Sequence, residues 1–295
     1  MSLYQQAGTH LSYARGAFGD PGLESRLSRL VAAAGGVIYS VRPRTLRGMA
    51  RFFSRTFPAA LWHVRPFLVA ATLLTFAPAA VAAAHLSSDR AALDALASPA
   101  ERAAFVRAGT DYYSAQPSAQ FASQVFTNNV RVAVLVFSAG IVVCLFSALV
   151  LVSNGTRLGE FVAVFVDAGK GTQLFGLLVP HGVIELSAVV VAGAAGLRLG
   201  WTVIDPGDRR RAMALAEEGR RSVGLVMGVA AMLLVAGVIE GFVTGSTLPT
   251  SVRVGLGLSV GIAFWLYAWA FGRRAAAEGR TGAIAEADAG WVPRS

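Results

Sequence analysis

Two side chains that can bind protons or cations stand four residues apart in the motif PHGVIE, residues 180–185. Positions i and i+4 of a helix lie on one face, so His181 and Glu185 are predicted to be within hydrogen-bonding reach. A second carboxylate, Glu240, lies in the motif GVIEG, residues 237–241. One imidazole with two carboxylates can bind a cation, relay protons or form a hydrogen-bonded pair.

Further polar and small residues accompany these motifs. The polar ones are Asn128, Asn129, Arg131, Asn154 and Arg198. Together with His181, Glu185 and Glu240 they are predicted to form a polar cluster inside a helix bundle, since charged groups at membrane depth need partners. In that cluster the carboxylates would bind a cation, relay protons or pair with His181, Arg131 or Arg198. The small residues, which let helices approach closely, are Gly193, Gly196, Gly200, Gly237 and Gly241.

The same polar groups also have a purely structural interpretation, in which they hydrogen-bond between helices and do no chemistry. The spacing of one His and two Glu is not diagnostic of a metal site. The chain contains no HExxH zinc motif, no Walker loop and no dinucleotide-binding fingerprint. We therefore predict no catalytic residues, no metal, no cofactor and no enzymatic activity.

The composition indicates a membrane protein. Of the 295 residues, 55% are hydrophobic and 15% are charged, whereas soluble globular domains have about 45–50% and about 25%. The single cysteine, Cys144, excludes a disulfide within the chain. The formal net charge of +9 is interpreted by its location along a membrane protein, and we predict no binding to nucleic acid.

Five segments are long and apolar enough to cross the roughly 30 Å hydrocarbon core as helices. They are residues 66–86, 132–152, 174–197, 223–242 and 254–271. Glu185 lies within the third segment and Glu240 near the end of the fourth. The sequence therefore predicts an all-α fold, a polytopic bundle of transmembrane helices.

The arginines predict the orientation, because basic residues collect on the cytoplasmic side of a membrane. Residues 1–65 hold nine Arg and two acidic residues, and the 198–222 loop and the tail after residue 271 also have more Arg than acids. The 87–131 loop holds four of each and is expected outside. Five spans cannot place both ends inside, so residues 158–168 are predicted to form a short broken or re-entrant helix. The alternative is five spans with the tail outside.

Three regions follow from these segments. Residues 1–65 are predicted to form a cytoplasmic helical hairpin followed by a basic amphipathic helix that lies at the membrane surface. An ordinary amphipathic helix packed on the hairpin is the alternative for that second part. Residues 66–271 form the bundle, with a helical loop over residues 87–131 whose helix begins at the SPAE motif, residues 98–101. Residues 272–295 are the tail.

Several short motifs occur in an order typical of one family. They are LSYAR at 11–15, NNVRV at 128–132, NG at 154–155, PHGVIE at 180–185, AGAAGLRLG at 192–200 and IEGF at 239–242. With these motifs the chain resembles, over nearly its whole length, the stage II sporulation protein M family of bacterial integral membrane proteins. The resemblance implies a polytopic scaffold that anchors two peptidoglycan-degrading partners at the membrane and does not itself cleave the wall.

We therefore expect a non-enzymatic scaffold or anchor in the bacterial cytoplasmic membrane, with both chain ends in the cytoplasm. Its expected partners are the lipid bilayer and cell-envelope or cytoplasmic proteins, and a homo-oligomer is possible. The alternative is a transporter or channel-like protein with an ion or proton path lined by His181, Glu185 and Glu240. A third hypothesis is an intramembrane hydrolase that uses a bound metal.

Overall fold

The structure, a computed structural model, describes residues 2–17, 22, 25–31, 46–115, 118–142 and 144–283. Every element in these residues is a helix, which confirms the predicted all-α class. Five of the helices are long and apolar enough to cross a membrane, which is the predicted number. The chain divides into two compact units, residues 1–49 and residues 50–295.

The amino-terminal unit contains helix α1, Ser2–Ala17, and a second helical stretch at residues 25–31. Both fall where the sequence predicts the two arms of the hairpin. Most of the predicted turn and residues 32–45 lie outside the described residues.

The second unit holds the remaining helices, the first of which begins just before it. They are α2 (Leu46–Arg51), a π-helix (Phe52–Thr56), α3 (Phe57–His63), α4 (Arg65–Ser88), α5 (Arg90–Leu96), α6 (Pro99–Ala115), α7 (Ser118–Val142), α8 (Cys144–Asp167), α9 (Gly171–Ile204), α10 (Arg211–Ile239), a second π-helix (Glu240–Thr244) and α11 (Thr250–Ala277). Helix α9 is the central element, because 61% of its most apolar window is buried, against 17% for α11.

The segment predicted to be one surface helix, residues 45–65, is three short elements with two different environments. Leu46 and Met49 are exposed, whereas Phe57, Leu61 and Val64 belong to the main hydrophobic core. Its second half is therefore packed into the core of the bundle and does not lie at a membrane surface as predicted.

Helices α7 and α8 differ from the prediction. The predicted span 132–152 includes the end of α7 and the beginning of α8, which run in opposite directions, and residues 158–167 of the predicted short helix are a continuous part of α8. The short apolar stretch lies instead in α7, at Asn129–Gly140. A hydropathy window cannot find this turn, because apolar residues flank it on both sides.

Close contacts give the relative directions of the helices. Gly155 and Gly159 of α8 face Thr75 and Ala79 of α4, so these two helices are parallel. Contacts of the same kind make α7 and α11 parallel to α9, and make α8 and α10 antiparallel to it. Helices α4, α7, α8, α9, α10 and α11 thus alternate in direction along the chain.

The two short helices α5 and α6, which we call the cap, lie at one end of this bundle. At this cap end α8 joins α9 and α10 joins α11; at the far end residues 205–210 join α9 to α10. The predicted helix start at Ser98 is present, because the Ser98 backbone nitrogen donates to Glu101 Oε2 at 2.8 Å and the Glu101 nitrogen donates to Ser98 Oγ at 3.3 Å. Hydrogen bonds from Ser98 lower the pKa of Glu101.

Glycines allow the closest helix contacts. A Cβ on Gly193, Gly196 or Gly200 of α9 would press on Leu151, Ser147 or Cys144 of α8, respectively. Gly237 and Gly241 are buried near the end of α10. Gly193, Gly196 and Gly200 therefore lie where α9 approaches α8, as small residues do in membrane bundles.

Replacing Gly155 tests this packing. A Cβ at Gly155 would overlap the Thr75 carbonyl oxygen, whereas a Cβ at Gly255 in α11 meets nothing within 4 Å. We expect Gly155→Ala to lower the free energy of unfolding by about 1–3 kcal/mol. Gly255→Ala should leave it unchanged or raise it by up to about 1 kcal/mol. Thermal unfolding of the two variants in one detergent measures the difference, and equal midpoints would contradict this packing.

Candidate functional site

His181 lies in the cap-end half of α9, in the turn that follows Pro180. Pro180 has no N–H for the helix ladder, and its carbonyl lies where a Cβ on Gly257 of α11 would clash. Helix α11 therefore packs closely beside this turn. The side chain of His181 is 4% exposed and points into the bundle.

The π-helix Glu240–Thr244 brings two further side chains to His181. A π-turn inserts one residue into a helix, and such turns are frequent at functional sites. Here it places both Glu240 and Thr244 in the buried interior. His181 Nδ1 lies 3.2 Å from Thr244 Oγ1, which is a hydrogen bond.

His181, Glu185 and Glu240 form a compact group that we call the triad. His181 Nε2 lies 3.8 Å from Glu185 Oε2 and 3.7 Å from Glu240 Oε1. Glu240 is 1% exposed and Glu185 is 17% exposed. The structure therefore brings together the three residues that the sequence predicts at the centre of the polar cluster.

Asn129 of α7 is the other predicted residue that joins the triad. It is buried, and its side chain hydrogen-bonds to Glu185. The site is thus assembled from α7, α9 and the π-helix that follows α10. One carboxylate oxygen of Glu240, the buried Oε2, has no hydrogen-bond partner among the described residues.

The remaining polar candidates lie in other places. Arg131 is exposed on α7, and Asn154 is half-buried on α8. The side chain of Asn128 lies outside the described residues.

Arg198 lies about 20 Å from Glu185 along α9, at 1.5 Å per residue, and does not reach the triad. Its guanidinium Nη2 donates to Glu218 Oε1 at 3.0 Å. Arg198 therefore does not form the predicted pair with the triad carboxylates, because Glu218, near the start of α10, is closer to it.

Glu218 is the centre of a second buried polar group that sequence reasoning missed. Its Oε1 also accepts from His63 Nε2 and Arg221 Nη1, both at 2.9 Å, and its side chain is 1% exposed. Arg221 in turn donates to Thr281 Oγ1 at 3.0 Å. This Glu218 network connects α3, α9 and α10 with the segment after α11. The i, i+3 spacing of Glu218 and Arg221 is the local signal that could have indicated part of it.

Residues 257–261 read GLSVG and match the GxSxG pattern of hydrolases by letter. In such enzymes the serine stands at a sharp turn between a strand and a helix. Here the motif lies inside the continuous helix α11, and Ser259 is exposed. The backbone context of a nucleophile is therefore missing at this motif.

The fold and the triad define an all-helical membrane protein with a polar interior site. The family model "Stage II sporulation protein M" (SpoIIM) matches residues 67–245, more than half of the chain, and the chain belongs to this family. This confirms the resemblance seen in the motifs, and the matched interval contains the whole triad.

Other comparisons add two findings. A second family model, "Domain of unknown function (DUF8413)", matches residues 1–40. The chain is similar to the "Uncharacterized protein MJ0793" of Methanocaldococcus jannaschii, with 24% identity over 131 residues, which cover 43% of this chain and 74% of that protein. No solved structure matches the chain.

The Glu218 network predicts a large stability effect. In Glu218→Gln the two half-buried arginines, Arg198 and Arg221, lose their carboxylate partner, so we expect the free energy of unfolding to fall by about 1.5–3 kcal/mol. Glu217, the neighbouring carboxylate, is 35% exposed and pairs with Arg209. Glu217→Gln should therefore change stability by about 0.5 kcal/mol or less. Thermal unfolding measures both, and a Glu218→Gln midpoint as high as that of Glu217→Gln would refute the role of the network.

Proposed function

We propose that the protein is a non-enzymatic, multi-pass scaffold of the bacterial cytoplasmic membrane that holds cell-envelope proteins at the membrane. The observation that carries this proposal is the rigid attachment of the cap to the bundle. The scaffold role implied by the family resemblance agrees with it.

The attachment depends on Arg102, which is 4% exposed. Its guanidinium Nη1 donates to Asp94 Oδ1 at 2.8 Å and to the Leu93 carbonyl at 3.1 Å, both in α5. Its Nε lies 3.3 Å from Asp167 Oδ2 at the end of α8. Arg90 also pairs with Asp167. One buried cation thus connects both cap helices to a membrane helix.

Aromatic contacts support the same attachment. The ring of Phe105 in α6 meets the rings of Phe161 and Phe165 in α8 edge-on, with centroids 5.7 and 6.4 Å apart. Phe105 is still 49% exposed. The cap therefore displays apolar surface on a rigid support, and such a preorganised surface suits protein binding because little order has to be gained.

The arginine distribution and the alternating helices support one orientation. An even number of alternating helices leaves the start of α4 and the end of α11 at the same end of the bundle, away from the cap. With arginine-rich segments before α4 and between α9 and α10, the positive-inside rule puts that end in the cytoplasm. The cap then faces the cell envelope, and cytoplasmic proteins can contact the opposite face.

Detaching the cap should abolish partner binding. We expect Arg102→Leu to reduce the amount of envelope protein cross-linked from a photoreactive residue at Ala103, because the cap loses its connection to α8. Arg107→Leu changes an exposed arginine of the same helix and should leave the yield unchanged. Mass spectrometry of the cross-linked material identifies and quantifies the partner.

The orientation is checked in the same cells. A cysteine placed at Ala103 in a Cys144→Ala chain should react with a thiol reagent that cannot cross the membrane. Protection of this cysteine, or an equal cross-linking yield from both arginine variants, would contradict the scaffold proposal.

The second candidate is a transporter or channel-like protein. The observation that favours it is the triad, because carboxylates inside a membrane bundle are costly and often mark ion or proton paths. Pro180, beside the triad, also leaves the continuous helix α9 without one N–H of its hydrogen-bond ladder.

Flux measurements distinguish this candidate. If His181, Glu185 and Glu240 line a path, the purified protein should conduct protons or cations in vesicles, and the double variant Glu185→Gln, Glu240→Gln should lower the flux at least about 10-fold. Glu160→Gln, a half-buried carboxylate of α8, is the matched control. A parent protein without flux eliminates the transporter candidate and leaves the scaffold proposal standing.

A further inference from the structure

We propose that the triad binds one divalent transition-metal ion, with His181 Nε2 and one carboxylate oxygen each of Glu185 and Glu240 as ligands. This site goes beyond the scaffold function, and it replaces the expectation of no metal with one of the cation-binding alternatives stated for these residues. The three ligand atoms lie within 4.8 Å of one another.

The distances inside the triad are close to those between ligands of one ion. At 3.7 and 3.8 Å, the contacts of His181 with the two carboxylates are too long for hydrogen bonds. Zinc ligands at about 2.0–2.2 Å from the ion, in tetrahedral geometry, are about 3.3–3.6 Å from one another. The two His181 contacts exceed these distances by a few tenths of an ångström, and the two carboxylate oxygens, which lie within 4.8 Å of each other, would approach by at most about 1.5 Å to hold such an ion.

Two neighbours already orient the ligands. His181 Nδ1 lies 3.2 Å from Thr244 Oγ1; in the tautomer in which Nδ1 carries the proton and donates to that oxygen, Nε2 presents its lone pair to the carboxylates. Metal-binding histidines almost always donate their other ring N–H to an oxygen in this way. On the other side, Asn129 hydrogen-bonds to Glu185. The triad therefore has the outer shell that a metal site requires.

Glu240 supplies an independent observation. Its side chain is 1% exposed, and its Oε2 has no hydrogen-bond partner in the part of the chain that the structure describes. A buried carboxylate oxygen without a partner costs free energy unless a proton or a cation satisfies it. An ion bound at the triad would do so directly.

The charge balance favours a cation with two positive charges. Two carboxylates stand at the triad, and Arg253, which lies near it, donates instead to the Thr244 carbonyl and to Thr250 Oγ1. A divalent ion would neutralise both carboxylates. One imidazole with two carboxylates suits Zn²⁺, Fe²⁺ or Mn²⁺ better than Mg²⁺ or Ca²⁺, which prefer sites made only of oxygen ligands.

Co²⁺ serves as the spectroscopic probe for the full-length protein in detergent after treatment with a chelator. We expect one Co²⁺ per chain, with visible absorption bands typical of nitrogen and oxygen ligands, and displacement of Co²⁺ by one equivalent of Zn²⁺ but not by Mg²⁺. These measurements need no variant. A wild-type protein that binds no stoichiometric Co²⁺ or Zn²⁺ would overturn the proposal.

Variants then locate the ion. Glu240→Gln should weaken Co²⁺ binding by more than about 100-fold, because loss of an outer-shell partner alone costs about 10–100-fold. Thr244→Val keeps all three ligands and removes only the bond to Nδ1, so it should weaken binding by about 10–100-fold. Glu160→Gln should bind Co²⁺ like the wild type.

Equal Co²⁺ affinity in wild type, Glu240→Gln and Thr244→Val would also overturn the proposal. If Glu240→Gln does not fold, Thr244→Val and the wild-type absorption spectrum still decide it. Flux and partner cross-linking are separate measurements, so failure of the metal site leaves the scaffold proposal untouched.

Discussion

Every polar group inside an apolar helix bundle needs a partner from the protein, because lipid offers neither hydrogen bonds nor counter-charges. Two buried carboxylates, Glu240 and Glu218, meet this constraint differently. Glu218 accepts from three cationic or polar side chains, whereas Glu240 has an imidazole at a distance that no hydrogen bond spans. The Glu218 carboxylate is satisfied by protein side chains from several helices. The Glu240 carboxylate has an oxygen that a proton or a cation can satisfy.

Helix α9 positions both groups and separates them. His181 and Glu185 lie in its cap-end half, and Arg198 lies toward its far end. Since α9 is the most deeply buried of the candidate spans, each polar group is held by helices that pack around it. The cap is attached through another residue, Arg102, and the scaffold proposal therefore does not depend on the chemistry of the triad.

Local patterns in the sequence were sufficient for much of the fold. Apolar length predicts four of the five candidate spans, and the i, i+4 spacing places His181 beside Glu185. Both depend on residues that are close in sequence. The contribution of Thr244 could not be predicted in this way, because it depends on a π-turn that changes the helix register by one residue.

Contacts between distant segments explain the other errors. Arg198 pairs with Glu218 and not with the triad, and Glu218 lies outside the apolar segments in which the sequence predicts the polar cluster. The reversal of direction between α7 and α8 has no hydropathy signal, because apolar residues lie on both sides of it. In both cases the arrangement depends on contacts between residues of different helices. Such contacts cannot be predicted from the spacing of residues within one helix.

The turn between α7 and α8 has a consequence for biosynthesis. Helix α7 has an apolar stretch of only 129–140, and this stretch carries Arg131, so it is a poor candidate for independent insertion into lipid. Ser147 donates to the Val136 carbonyl at 2.6 Å across the turn, which ties the two helices together early in the chain. The translocation machinery would then release α7 and α8 into the bilayer as a single hairpin, and Asn129 would arrive at membrane depth before α9 has been synthesised.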